Sequence, residues 1–537
     1  MKRTLLALTL LSAVPVLAIP PRLTLFITVD ALGSDTLLRH HRSLRGGLGQ
    51  AIANGAFFPS VRFDFAQAST AAGHATLTTG ANPWRHGVVS NQIWNRGTGR
   101  FQGIFADADH PTLEAPPSED DASPHNLMAE TLADSLRLAT RMRGKAIAIS
   151  GKARSSIPMA GRLGQGWWFN EEVGKFVTGT WYAKELPRWA KALNEKSPAN
   201  AGFGKTWGLS LPEKSYLGED DRPWESDWHG LGRKFPHPIG AGMSSPGPAY
   251  YAALAGTPLA GDLLLQMARA AIEGEQLGRD EHPDLLFVGF SWFDHVFHGF
   301  GPNSWEIQDA LVNLDRQVGE LIAAAERAAG GRQNLLVLIT SDHGMAAIPE
   351  EWTAAGLPAR RVNPTALQQG LSAELKRKFK ADLFLGMDET DVYLNARAIA
   401  ERSLDGAAVR RAAAHWLQSQ PGIGLALARD DLFSSTDHAG FARALRVGYF
   451  PERSGDVLFI LGERAVFSEE NTGTSHGTPY SYDAVVPLVL LGKGVRAGVY
   501  RAEIPAVDVA PTVAAALEIP LPSKCEGSAR GEALGGR

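Results

Sequence analysis

A single cysteine, Cys525, serves a chain of 537 residues. One thiol forms no intramolecular disulfide, so core packing or bound metal must hold the fold. Long apolar runs are missing too. After the N-terminal segment no stretch reaches the roughly 18 apolar residues of a membrane span, so no transmembrane segment is expected in the mature chain. Neither sign of charge dominates: 53 Lys and Arg against 57 Asp and Glu leave a net charge of −4. That balance argues against nucleic acid as the main partner, which calls for a broad basic surface. No G-x-x-x-x-G-K-[ST] phosphate loop occurs. Disorder is excluded by 44% hydrophobic and only 20% charged residues.

The N-terminus reads as an address. Lys2 and Arg3 precede the apolar run Leu5 to Leu17, and Val16-Leu17-Ala18 resembles a small-residue cleavage site. A signal peptide over residues 1–18 is expected, with a periplasmic or secreted mature protein spanning 19–530. Within that span, apolar runs suggest buried parallel strands: Leu23–Val29, Ala146–Ser150, Asp284–Phe290, Asn334–Thr340, Asp456–Leu461 and Ala484–Leu491. Helical patterns lie between them, among them Ala310–Ala329, stopped by Gly330 and Gly331, and Asp508–Leu517. Strands alternating with helices predict an α/β/α sandwich around a mostly parallel sheet. Stretches near 155–250 and 350–450 break the rhythm and read as inserted cap segments.

In such sheets, sites form beyond the carboxyl ends of the strands. Asp30 ends the first run, Asp294 and His298 follow the one through Phe290, and Asp342 and His343 follow Leu338-Ile339-Thr340. His476 lies in Gly473-Thr474-Ser475-His476-Gly477, just before the last core run. Any one of these is an ordinary cap or turn residue. Together, three carboxylates and three imidazoles at one edge suit divalent metal, because a buried carboxylate is costly unless paired, hydrogen-bonded or metal-bound. Six ligands are too many for one tetrahedral zinc but fit two sites of three, each with an open position.

A nucleophile candidate lies in Ser69-Thr70-Ala71-Ala72-Gly73-His74, where Thr70 follows an extended stretch and would open a helix closed by Gly80. A plain helix cap is the bland alternative. The functional reading uses the same geometry: metal lowers the hydroxyl pKa, and the helix N-terminus favours an anion.

Thr70-x-x-x-His74 with Thr79-Gly80, His86-Gly87 and Ser90-Asn91 resembles the nucleophile segment of the alkaline phosphatase superfamily. It is closest in pattern to the threonine-nucleophile branch, which holds the nucleotide pyrophosphatase/phosphodiesterases and the PafA-type bacterial alkaline phosphatases. The metal motifs follow in that family's order across nearly the whole mature chain. The resemblance implies an alkaline-phosphatase-like fold and two zinc ions. One would be held by Asp30, Asp342, His343 and the nucleophile Thr70, the other by Asp294, His298 and His476. It also implies a phospho-threonine intermediate, with Asn91 donating to a phosphoryl oxygen. Phe297 stands where the family pattern leads one to expect glycine, which bears on local packing.

Lys152 and Arg154 follow the run ending at Ser150. Two cations beside two metals favour the dianion of a phosphate monoester over a diester. A Lys-x-Arg at this point is similar to the PafA-type monoesterases, which implies small phosphorylated substrates; phosphodiesterase is the alternative. Gly473-Thr474-Ser475-His476-Gly477 matches G-x-S-x-G formally but lacks the strand–helix context of a serine elbow. His74 and His86 are expected in packing or in support of ligands rather than on metal. Trp94, Trp167 and Trp168 are expected mainly in the core.

Overall fold

The computed structural model describes residues 20–118, 121–433 and 440–535. The expected signal peptide lies outside them. A ten-stranded sheet forms the centre. Five adjacent strands run parallel, in the order Leu335–Thr340, Leu23–Val29, Asp284–Phe290, Ala146–Ser150, Gln165–Asn170. Every side chain of Leu23–Val29 is buried, as a strand covered on both faces requires. Successive residues alternate between two cores. Leu25, Ile27 and Val29 pack with helices Pro258–Gly274 and Trp305–Ala328 on one face. Phe26 packs on the other face, its ring centroid 5.1 Å from that of its register partner Phe287. Helices Thr70–Thr79, Leu132–Ala139 and Val509–Leu517 cover that second face. The α/β/α sandwich is as the sequence predicts.

Strand Val485–Gly492 is antiparallel and sits between Leu335–Thr340 and Ala56–Arg62. Pro59 interrupts Ala56–Arg62 at a register shift opposite Val486 and Leu488, the kind of place where a strand tolerates proline.

The structure corrects three readings. The run Ala484–Leu491, expected to be parallel, is the antiparallel strand Val485–Gly492: an apolar run buried on both faces does not encode its direction. Asp456–Leu461 is not a strand of the central sheet. Val457–Leu461 is an interior strand of a separate antiparallel sheet, ordered Phe384–Asp388, Asp391–Leu394, Val457–Leu461, Ile423–Ala428. A short, wholly apolar run fits the interior of either sheet, so its sequence does not say which. That smaller sheet has its own core, including Leu371, Val409 and Phe459, so the expected insertion near 350–450 continues to about Phe467. The segment expected as an insertion from 155 instead begins as regular sheet. Helix Ala153–Ala160 leads to strand Gln165–Asn170, parallel to Ala146–Ser150, and Lys175–Val177 returns antiparallel at the edge.

Register brings the functional segments together. Val29 pairs with Phe290, Thr28 with Thr340, and Gly289 with Ser150, so these parallel strands end level with one another. Because Val485–Gly492 runs the opposite way, its start, preceded by His476, lies at that same edge. The strand leading to Thr70 runs with the parallel set and ends there too.

Candidate active site

Thr70 is the first residue of its helix and is 1% exposed; Ser69, extended, precedes it. Its Oγ1 lies 3.5 Å from His343 Nε2. Gly73 lets the helix approach: a Cβ there would fall 2.2 Å from the Asp342 carbonyl oxygen. The Asn91 side chain reaches the same helix start, its Oδ1 accepting from Ala71 N at 3.0 Å.

Two acid–imidazole groups meet this edge. Ligand-capable atoms of Asp294, His298 and His476 lie within 4.8 Å of one another, as do those of Asp30, His74 and Asp342. His298 Nε2 is 3.4 Å from Asp294 Oδ1, the two residues one helical turn apart. Phe297 between them is fully buried against Phe293, so the bulky residue fills core space and leaves the pair facing the site.

The imidazoles sort by their hydrogen bonds. His298 Nδ1 lies 2.9 Å from Thr474 O, His343 Nδ1 2.9 Å from Gly344 O, and His476 Nδ1 2.8 Å from Ala68 O. A carbonyl only accepts, so Nδ1 carries the proton in each ring and Nε2 keeps a lone pair for a ligand. His74 differs: Nδ1 is 2.9 Å from Thr70 O and Nε2 is 3.1 Å from Thr28 Oγ1. Both of its nitrogens are engaged, with Asp342 Oδ2 at 3.2 Å from Nδ1. His74 therefore braces the nucleophile's helix and the carboxylates. His86 lies away from the acids, its Nε2 3.1 Å from Thr76 Oγ1.

The carboxylates are deeply buried and incompletely satisfied. Among the described residues, Asp30 Oδ1, Asp294 Oδ1 and Asp342 Oδ2 find no hydrogen-bond partner. Burial pushes the Asp30 carboxyl up, and the neighbouring Asp342 adds to it. Burial acts the same way on Asp294, but Lys152 and then the imidazoles of His298, His476 and His343 outweigh it and hold the group well below the usual carboxylate range. Burial lowers His343 to about 4 and puts His476 well below the ordinary histidine value. Neutral imidazoles beside orphaned carboxylate oxygens are the donor set that a divalent cation requires.

Lys152 Nζ lies 2.5 Å from Asp294 Oδ2. With Arg154 and Asn91, Lys152 also lines a cavity of about 540 Å³. Phe101, Trp168 and Glu389 line it as well. Trp167 is core, as expected, whereas the almost fully buried Trp168 also borders this cavity. Trp94 packs on Phe101 and Tyr393. Glu389 escaped the sequence reading; an acidic Asp388-Glu389-Thr390-Asp391 tip between two apolar runs was the available signal.

Such an edge suits metal-assisted transfer of a phosphoryl group from one oxygen to another, and the class that fold and site define is the metal-dependent phosphoryl-transfer hydrolases. The chain is placed further by its sequence: it belongs to the type I phosphodiesterase / nucleotide pyrophosphatase family, whose profile matches residues 24–481. It is 31% identical over 536 residues to alkaline phosphatase PafA of Elizabethkingia meningoseptica, covering 96% of this chain and 95% of that protein. It is 29% identical to alkaline phosphatase PhoV of Synechococcus elongatus, covering 94% and 91%. The crystal structure of wild-type PafA superposes with a TM-score of 0.89 at 30% identity, covering 96% of this chain and 99% of the other.

Proposed function

We infer that this protein is an alkaline phosphatase that hydrolyses phosphate monoesters through a phospho-threonine at Thr70, outside the cytoplasm. The relatives named alkaline phosphatases support the activity. The observation that carries the monoester assignment is the placing of two cations, Lys152 and Arg154, with Asn91 around one cavity at the nucleophile's edge.

Two zinc ions, one on Asp30, Thr70, Asp342 and His343 and one on Asp294, His298 and His476, would supply Lewis acidity to the nucleophile and to the leaving oxygen. The chain's own groups do the rest. Thr70 Oγ, giving up its proton, attacks phosphorus; the Oγ–P bond forms as the P–O bond to the leaving group breaks, and the departing oxygen takes up a proton and leaves as the alcohol. Asn91 and Arg154 donate to non-bridging oxygens, and Lys152 balances charge between Asp294 and the phosphoryl group. Water then attacks the phospho-threonine, frees inorganic phosphate and restores the hydroxyl. His74, bonded to the Thr70 carbonyl, keeps the helix start in register with both acids.

The family profile's description keeps a phosphodiesterase as the competing activity. The deciding measurement is kcat/KM for an aryl phosphomonoester against an aryl phosphodiester, with and without chelator, in wild type and Lys152→Ala/Arg154→Ala. Each lost charge-assisted hydrogen bond costs about 1.5–3 kcal/mol, roughly one to two decades of rate. A diester lacks one anionic oxygen and loses less, so the monoester preference of wild type shrinks or inverts. Equal loss on both substrates overturns the assignment of these cations to the dianion.

A further inference from the structure

The inserted sheet sends one hairpin to the catalytic edge. Strands Phe384–Asp388 and Asp391–Leu394 pair up to Asp388 and Asp391, leaving Glu389 and Thr390 as the turn. The hairpin is fixed against the neighbouring one, Gln92–Asn95 with Arg100–Gly103. The Phe101 and Tyr393 rings meet edge-on at 5.7 Å, and Ser90 Oγ, which donates to Gln92 O, lies 3.4 Å from Asp388 Oδ2. Gly386 leaves room for Phe101, whose Cε2 would lie 2.5 Å from a Cβ there. The tip is thereby seated beside Asn91.

Glu389 lines the cavity it shares with Asn91, Lys152 and Arg154, and both Arg154 and Asn91 favour its charged form. Its backbone has φ +45°, the left-handed region where glycine fits without strain. A turn needing only that conformation is served better by glycine. A glutamate there, on the cavity that Asn91 and Arg154 also line, points to work done by the side chain. The donors it meets are the ones assigned above to phosphoryl oxygens. Asn91 Oδ1 accepts from Ala71 N, which leaves its Nδ2 as the donor side toward any anion in the cavity.

We propose that Glu389 is an internal competitor of the phosphoryl group: between turnovers its carboxylate occupies Asn91 Nδ2 and Arg154, substrate displaces it, and its return expels inorganic phosphate. The inference rests on the phosphatase reading above. Burial and then the neighbouring Asp388 and Asp391 raise the Glu389 carboxyl, while Arg154 and Asn91 favour its charged form, so alkaline conditions suit the competition.

The test is calorimetric binding of inorganic phosphate to the zinc-loaded full chain at alkaline pH, for wild type, Glu389→Gln and Glu389→Ala. Dimethyl phosphate serves as the singly charged control. Removing one like charge beside the anion should tighten phosphate about tenfold in both variants. KM for an aryl monoester should fall in parallel, and dimethyl phosphate should gain less. A purely structural role gives the opposite sign, because a displaced Asn91 weakens phosphate. Unchanged or weaker phosphate binding in Glu389→Gln overturns the competitor. If wild type binds phosphate and cleaves monoesters, that failure is confined to Glu389; if wild type does neither, the phosphatase reading falls with it.

Discussion

Thr70 is nearly sealed from solvent, with His343 Nε2 3.5 Å from its hydroxyl oxygen. Thr70→Ala removes that oxygen and leaves the carboxylates and imidazoles in place. Turnover should fall by several decades while circular dichroism stays as in wild type and Asp30, Asp342 and His343 still retain the metal; near-normal turnover would refute the covalent route. His86 makes a different prediction. It is fully buried, donates to Thr76 Oγ1 and accepts from Val88 N, and burial, then Arg453 and Lys524, lower its pKa to about 3. A depressed histidine costs nothing above its unfolded value near 6.5, and its penalty grows as pH falls from there toward about 3. Over that window it contributes a slope of at most about 1.4 kcal/mol per pH unit. Chemical denaturation across the range should show a shallower slope in His86→Gln than in wild type.

At the scale of elements, the nucleophile helix is placed by a close backbone approach. Gly73→Ala would drive a Cβ into the Asp342 carbonyl, 2.2 Å away, so the helix or the Asp342 loop must move. Overpacking of this kind costs about 1–3 kcal/mol, and the nucleophile shifts with the helix. Both Tm and kcat/KM should drop, with kcat/KM falling further than in a variant of equal Tm elsewhere. Much of this edge was legible beforehand. The strands Leu23–Val29, Ala146–Ser150 and Asp284–Phe290 are continuous apolar runs ending in polar residues, and a parallel sheet makes such ends converge. Less was legible where local sequence competes with tertiary pairing. Pro59 disguises Ala56–Arg62 and Gly166 disguises Gln165–Asn170, because each is held by its neighbours more than by its own propensity. Glu389 was hidden for a similar reason: what makes it matter is the hairpin that carries it to Asn91, a contact across some three hundred residues of chain.

For the molecule as a whole, metal and thiol chemistry separate cleanly. Metal held at the proposed sites would stabilise the native state by mass action, about 4 kcal/mol when free metal is a thousandfold above Kd. Removing it also leaves Asp30 and Asp342 in mutual repulsion. Chelation should therefore lower Tm, and added zinc should restore it. Reductant should leave Tm unchanged, since Cys525 has no cysteine partner. A scan in which chelator has no effect would argue against structural coupling of the metals.

The seating of Val485–Gly492 between Ala56–Arg62 and Leu335–Thr340 also governs timing. A ribosome delivers Ala56–Arg62 and Thr70 early and the keystone strand more than four hundred residues later. Until it slots in, the strand before the nucleophile lacks its principal neighbour and offers a bare edge. His476 arrives on the same late segment. A half-made chain thus holds a threonine with neither its dock nor its last imidazole, and stays inert toward the phosphate esters around it. Chaperones that shield that early edge would therefore be guarding a latent enzyme, armed by the final crossing of the sheet.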